Sequence, residues 1–356
     1  MLELATALAA LHFGAPALYL LYLRAAPKKP LQPAAIYPKV AVVVPTYNEA
    51  PNIEAKLEDI YSQSYPRDRM SIYVVDSAST DGTAEAAERW AAGRKDAKVV
   101  VLREPERRGK AHALNTALAH LADEEVVVVT DADSRWLDRD TLRKAVAYLA
   151  AADAVSCLKK PAGGGPTEEA YRTWYNRLRL AESLVHSTPV FHGELAAFRR
   201  EAIAGGFPED VGADDSYAAI RIAIEGGRAV TPPDVWCIEA VPQRGYARWR
   251  LRRAQHLIQT FARALPKVAK APPPYRAILA AEAYLHLFNP WLLPAAAALA
   301  AASGPPGLAL LAAGAAALLY KPYRAWVAGQ IYLMAAALRN IWNKELIWQK
   351  QEKPLP

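Results

Sequence analysis

The sequence predicts an α/β protein on a mostly parallel sheet, with apolar helices at both ends. Three observations carry that prediction. Between Lys39 and Val241, short runs of β-branched and aromatic residues alternate with helical stretches, as in a parallel sheet covered on both faces. Val126-Val-Val-Val-Thr130 has no polar interruption, as expected of a strand buried on both sides. Residues 4–23 form an apolar run long enough to cross a bilayer, and Arg24, Lys28 and Lys29 follow it at once.

The first element is that run. A signal peptide carries its charges before the apolar core and a small-residue cleavage site after it; this segment does neither. It reads as an uncleaved transmembrane helix within residues 1–30, with the following residues on the cytoplasmic side. Strands are expected over 40–47, 72–76, 99–102 and 126–130. Helices are expected over 51–63, 83–92, 110–121 and 141–151, and a long one from Glu168 to about His186, after the flexible Gly163-Gly164-Gly165-Pro166. These make a catalytic domain over 38–243.

Residues 246–267 place Arg248, Arg250, Arg252 and Arg253 on a helix with Trp249, Leu251, Leu257, Ile258 and Phe261. Such a basic amphipathic stretch, within 244–270, is expected to lie in the membrane interface. Pro272-Pro273-Pro274 ends it. Residues 277–302 and 307–320 are further apolar runs, so 275–356 reads as transmembrane or interfacial helices. The last run, 325–338, contains Gln330. Arg339, Lys344, Lys350 and Lys353 follow and favour an interfacial or re-entrant helix over a full span.

Of the 356 residues, 53% are hydrophobic and 22% charged, enough for a large globular domain and a second unit. The formal charge is +7. The cations gather beside apolar segments, which favours a membrane surface over nucleic acid. Cys157 and Cys237 lie in no metal-binding spacing and read as buried thiols of a reducing compartment.

Chemistry gathers where the expected strands end. In open α/β sheets the ligand site lies beyond the carboxyl ends of the strands. Pro45-Thr46-Tyr47-Asn48-Glu49 and Asp76-Ser77-Ala78-Ser79-Thr80-Asp81-Gly82-Thr83 sit there, and so does Thr130-Asp131-Ala132-Asp133. Alternate residues of an extended segment point the same way, so Asp131 and Asp133 are able to reach one hard cation. Arg108-Gly109-Lys110 opens a helix, where free amides and a lysine favour an anion. Ala213-Asp214-Asp215-Ser216 opens another, and either acid is able to cap it.

With these motifs in this order, the chain resembles the family 2 glycosyltransferases of GT-A fold over residues 38–265. The resemblance implies that Pro45, Tyr47, Glu49 and Asp76 line the nucleotide, and that Lys110 supports the diphosphate. It implies that Asp131 contacts the donor and Asp133 a Mn²⁺ or Mg²⁺ ion. Phe191-His192-Gly193-Glu194-Leu195-Ala196-Ala197-Phe198-Arg199-Arg200 looks like the acceptor-side strand, where Gly193 allows close approach and His192 and Glu194 are candidates to meet sugar hydroxyls. Asp215 matches the position of the base and Asp214 its acidic neighbour.

Membrane-bound synthases of this family carry Gln-x-x-Arg-Trp. Here the nearest match is Arg250-Leu-Arg-Arg253-Ala254, with Trp249 ahead of it. Arg253 is placed to neutralise the leaving diphosphate. The absent final Trp weighs against a processive polymerase.

The resemblance is thus to a membrane-integrated, cellulose-synthase-like, inverting, metal-dependent enzyme, similar to archaeal lipid-linked mannosyltransferases. The expected donor is a GDP- or UDP-sugar, GDP-mannose first. The expected acceptor is a polyprenyl-linked glycan, as in N-glycan precursors, or a glycolipid. A processive synthase, a polyprenyl-phosphate hexose synthase, a nucleotidyltransferase and a non-catalytic membrane scaffold are the alternatives.

Overall fold

A computed structural model describes residues 1–242 and 244–347; Lys350 and Lys353 lie outside them. Helix α1 (Leu2–Ala25) leads, by an extended connection, into β1 (Val40–Thr46), α2 (Ala50–Tyr61), β2 (Met70–Ser77) and α3 (Thr83–Ala92). Then come β3 (Lys98–Glu104), α4 (Lys110–Ala119), β4 (Val126–Val129), β5 (Ser134–Trp136), α5 (Thr141–Tyr148), β6 (Ala154–Ser156) and β7 (Leu158–Ala162). Helix α6 (Gly165–Val185), β8 (Ala196–Arg199), α7 (Asp214–Ile224), β9 (Ala229–Val230), β10 (Trp236–Ala240) and α8 (Tyr246–Ala264) complete the central part. Four helices follow: α9 (Pro273–Leu287), α10 (Asn289–Ala301), α11 (Gly304–Ala317) and α12 (Lys321–Trp342).

A seven-stranded sheet runs β3-β2-β1-β4-β8-β6-β9, and a small one runs β5-β10-β7. Strands β3, β2, β1 and β4 are parallel, as the valine-rich runs predict. Strand β8 enters antiparallel to both β4 and β6, so β4 has one parallel and one antiparallel neighbour. Apolar residues on the two faces of the sheet feed separate cores. Val42, Val44, Ile72, Val74 and Val128 pack under α2 and α5, and Val43, Tyr73, Val127 and Phe198 pack under α4 and α7. Both cysteines are buried and unbridged.

The turns after β1 and β2 are laced together. Asn48 N donates to Ser79 Oγ (2.8 Å) and Thr80 N to Asn48 Oδ1 (2.9 Å). Asn48 and Ala78 both hold the left-handed backbone, at φ 54° and 56°. Asn tolerates this through local hydrogen bonds, but Ala gains nothing for its Cβ clash. Ala78→Gly is expected to raise stability by about 0.5–1 kcal/mol, read as a higher urea midpoint at unchanged slope.

The outer helices correct two expectations. The run 277–302 is not one helix: it breaks at Phe288, where Pro290 starts α10. Helix α9 turns Glu282 into the protein, 3.2 Å from Arg179 of α6, which also binds Glu182 at 2.8 Å. Among the described residues only α1 is long and apolar enough to cross a membrane, and α11 is a shorter apolar helix. Helix α8 does not present its apolar stripe to lipid. Trp249, Ile258 and Phe261 are buried in the protein, Arg250 and Arg253 turn inward, and α12 packs on α8 through Tyr332, Leu333 and Ala336. A stripe that suits a bilayer interface suits a protein core equally well.

Candidate active site

The carboxyl ends of β1 and β4 and the first turns of α4 and α7 meet at one cavity of about 250 Å³. Lys110, the first residue of α4, donates to Asp131 Oδ1 at 2.6 Å. Asp131 N in turn donates to Gly193 O (2.9 Å), which pins the loop after β4 against the segment leading to β8. A Cβ on Gly193 would lie 2.5 Å from Lys110 Nζ and 2.8 Å from Asp131 Oδ2. A side chain there would have to displace the Lys110–Asp131 ion pair.

Asp214 and Asp215 face the same ammonium from α7. Burial alone would lower the Lys110 pKa, but Asp131, Asp214 and Asp215 hold it above its ordinary value. Burial pushes the Asp214 carboxyl up to about 7; Lys110 opposes this and Asp215 adds to it. Asp214 Oδ1 accepts from Asp215 N at 3.0 Å, whereas Oδ2 is buried without a hydrogen bond among the described residues. Asp215 Oδ1 accepts from Ser216 N at 2.6 Å, and its second oxygen accepts no hydrogen bond from the described residues.

The raised Asp214 value has a sign. The folded protein retains a proton that an unfolded Asp releases near 3.8, so this residue's contribution to stability falls as pH rises from there to about 7. In chelator, Asp214→Asn is expected to melt above the parent at pH 8, with the gap closing by pH 4–5 in paired thermal scans.

Tyr47 lies under the Arg107 guanidinium, 3.5 Å from its ring centroid. Glu49 is buried, and its Oε2 accepts from Asn52 Nδ2 at 2.6 Å. On the opposite wall, burial and then the charges of Lys159, Arg253 and Arg172 drive the His192 pKa well below its usual value, so the imidazole is neutral.

Pro45, Tyr47, Glu49, Lys110, Asp131, Asp133, His192, Gly193, Glu194, Asp214, Asp215, Trp249 and Arg253 all line this cavity. Two expected residues do not. Asp76 is buried behind the strand ends, where it accepts from Thr46 Oγ1 (3.3 Å) and Ser79 N (3.0 Å) and shapes the turn. Each of its oxygens accepts one of these hydrogen bonds. Arg250 points into a neighbouring cavity.

The structure adds residues that the sequence did not single out. Lys159 bridges Glu194 (2.8 Å) and Glu239 (3.1 Å), Arg172 binds Glu239 (2.7 Å), and Arg253 binds Glu239 as well. From the C-terminal side, Leu346 and Ile347 reach the cavity edge. The His256 ring lies 2.9 Å from Glu345 O and steadies that segment. No local motif marks these residues, because their partners are far apart in the chain.

The donor set suits a hard cation. Asp131 and Asp133 offer carboxylate oxygens, and Asp214 Oδ2 is a further buried oxygen without a partner. No three or more His, Cys, Asp or Glu side chains converge as a complete metal cage among the described residues. A cation here would complete its shell with water and ligand phosphates, as Mg²⁺ does at one or two carboxylates.

Comparison with known proteins agrees with this arrangement. The sequence profile of Glycosyl transferase family 2 matches residues 41–207. The mannosyltransferase PcManGT of Pyrobaculum calidifontis, solved with GDP-Man and Mn²⁺, is 57% identical. The match covers 97% of this chain and 100% of that one, at a TM-score of 0.88. Glycosyltransferase AglE of Haloferax volcanii is 33% identical over 106 residues, 29% of this chain and 34% of AglE. Beta-monoglucosyldiacylglycerol synthase of a Synechocystis strain is 28% identical over 210 residues, 55% of this chain and 43% of that protein. The matched regions thus span about a third and two-fifths of those two curated relatives. The S. aureus TarS fragment 1–349 shares the fold at a TM-score of 0.52 and 18% identity. On the full-length similarity to PcManGT, together with the profile match, the chain belongs to glycosyl transferase family 2 and is a glycosyltransferase.

Proposed function

We propose that this enzyme transfers mannose from GDP-mannose, with inversion, to a polyprenyl-linked glycan or glycolipid at the cytoplasmic face of a membrane. The observation that carries the reading is the convergence of Asp131, Asp133, Lys110 and the Asp214–Asp215 pair on one cavity beside Gly193. The PcManGT complex with GDP-Man and Mn²⁺ supports the hexose, its donor and a Mn²⁺ or Mg²⁺ cofactor.

In this reading Pro45, Tyr47 and Glu49 line the nucleotide, and Asp131 orients the donor. Asp133, with Asp131, would hold the cation, which would supply charge neutralisation at the diphosphate. Lys110 sets a further positive charge beside that leaving group, and Arg253 faces it from α8. Asp215 takes the proton of the acceptor hydroxyl as that oxygen bonds to the anomeric carbon and GDP leaves. Its hydrogen-bonded Oδ1 fixes the carboxylate, and its second oxygen is left for the proton. His192 and Glu194 meet sugar hydroxyls, and Trp249 closes the acceptor side.

Membrane attachment rests on α1, whose Leu4, Leu11, Leu18 and Leu21 are at least half exposed, and on exposed Leu308, Leu310, Ile331 and Ile341 of α11 and α12. A lipid-linked acceptor fits a site beside such helices, and the Synechocystis relative is named for a diacylglycerol lipid. The domain limits of this reading are 1–30, 38–243, 244–270 and 275–356.

Donor binding tests the reading. With Mn²⁺, GDP-mannose is expected to bind at least about tenfold more tightly than UDP-glucose or UDP-N-acetylglucosamine, and chelator is expected to abolish that margin. Preference for a UDP-sugar, or binding indifferent to chelator, refutes it.

A further inference from the structure

A second cavity, of about 680 Å³, opens between α1, α6, α8 and α12. It is larger than the first and lies within the size range of small-ligand sites. Its walls are mainly aromatic and aliphatic, with Tyr171, Trp174 and Tyr175 from α6 facing Trp326, Tyr332 and Leu333 from α12. Phe13 and Pro16 of α1, the helix able to cross a membrane, complete it. Lys159, His192, Trp249 and Arg253 line both cavities, so the two share a wall.

That wall is cationic. Four cations (Lys159, Arg172, Arg250 and Arg253) share three carboxylates (Glu168, Glu194 and Glu239). Arg250 stands 3.8 Å from its carboxylate partner Glu168, with its guanidinium 4.2 Å from the Tyr171 ring centroid. Gln330 is 3% exposed, lines the same cavity, and its Oε1 has no hydrogen-bond partner among the described residues. A wall on which cations outnumber carboxylates, opening on a mainly apolar chamber, suits an anionic head on an apolar chain.

We propose that this second cavity holds the isoprenoid chain of a polyprenyl-phosphate-linked acceptor, with its phosphate at Arg250 and its sugar presented through the shared wall to the catalytic cavity. The inference deepens the transfer reading and rests on it for the direction in which the sugar points. A single chain joined directly to phosphate matches a single chamber with a cationic end; a diacyl lipid brings two chains.

Gly329 gives the test. It lines the cavity, and a Cβ there meets nothing within 4 Å, so Gly329→Phe is the first chamber-filling variant. Ala325→Trp is a second such variant on α12. The probe is farnesyl phosphate, followed by tryptophan fluorescence, with farnesol, inorganic phosphate and a short-chain phosphatidylglycerol as comparators. The parent is expected to bind farnesyl phosphate at least about tenfold more tightly than each comparator. Both variants are expected to weaken it about tenfold or more, with GDP-mannose affinity and melting temperature unchanged. Equal binding by parent and variants, or equal binding of phosphatidylglycerol, overturns the inference. If the variants lose farnesyl phosphate but the parent transfers mannose to no lipid-linked acceptor, the cavity assignment stands and the transfer reading fails. If transfer to a polyprenyl-linked acceptor proceeds equally in parent and variants, the transfer reading stands and the cavity assignment fails.

Discussion

Asp215→Asn is expected to bind GDP-mannose as the parent does and to transfer its sugar about 10²- to 10⁴-fold more slowly, the range that a positioned general base contributes. The amide is isosteric and retains an oxygen for the Ser216 N–H, so helix α7 keeps its start. It lacks a carboxylate to accept the acceptor's proton. Single-turnover transfer and equilibrium donor binding, measured on the same preparation, separate these effects. If Asp215→Asn transfers normally and Asp214→Asn does not, the base is Asp214, whose pKa burial pushes up to about 7.

Asp133→Ala is expected to lose donor turnover by about 10³-fold, the several kcal/mol that a cation contributes to charge stabilisation. Chelator should cost the parent a similar factor and add little to the variant, because both remove the same ion. Lys110 and Asp131 form their own ion pair at 2.6 Å, which the Asp133 substitution leaves in place. Turnover of GDP-mannose assayed across a Mn²⁺ titration reads this directly. A parent that works fully in chelator removes the metal from the account.

The parallel half of the sheet was legible because each strand end carries its own signal. An unbroken valine run is a buried strand wherever it occurs, and Pro45-Thr46-Tyr47, Gly109-Lys110 and Asp131-Ala132-Asp133 lie next to the elements that position them. Strands β5 to β10 were largely illegible; most are two to five residues long, too short for periodicity to declare. The network of Lys159, Arg172, Glu194 and Glu239 was illegible for another reason. Its members come from four separate segments, and only the folded chain brings them together.

The outer helices show where hydrophobicity underdetermines structure. Helix α8 carries a stripe of Trp249, Ile258 and Phe261 that would suit lipid, yet the fold buries it against the protein. The run 277–302 was apolar enough to suggest a span, but Asn289-Pro290 splits it and Glu282 must reach Arg179.

The most direct test is the product itself. The parent, in Mn²⁺, is incubated with GDP-α-mannose and a polyprenyl-phosphate-linked glycan, and the anomeric configuration of the new linkage is read by NMR. The account predicts a single β-linked mannose, formed only with the metal present. An α-linked product would contradict inversion by Asp215, and no mannosylated product with that acceptor would contradict the proposed function.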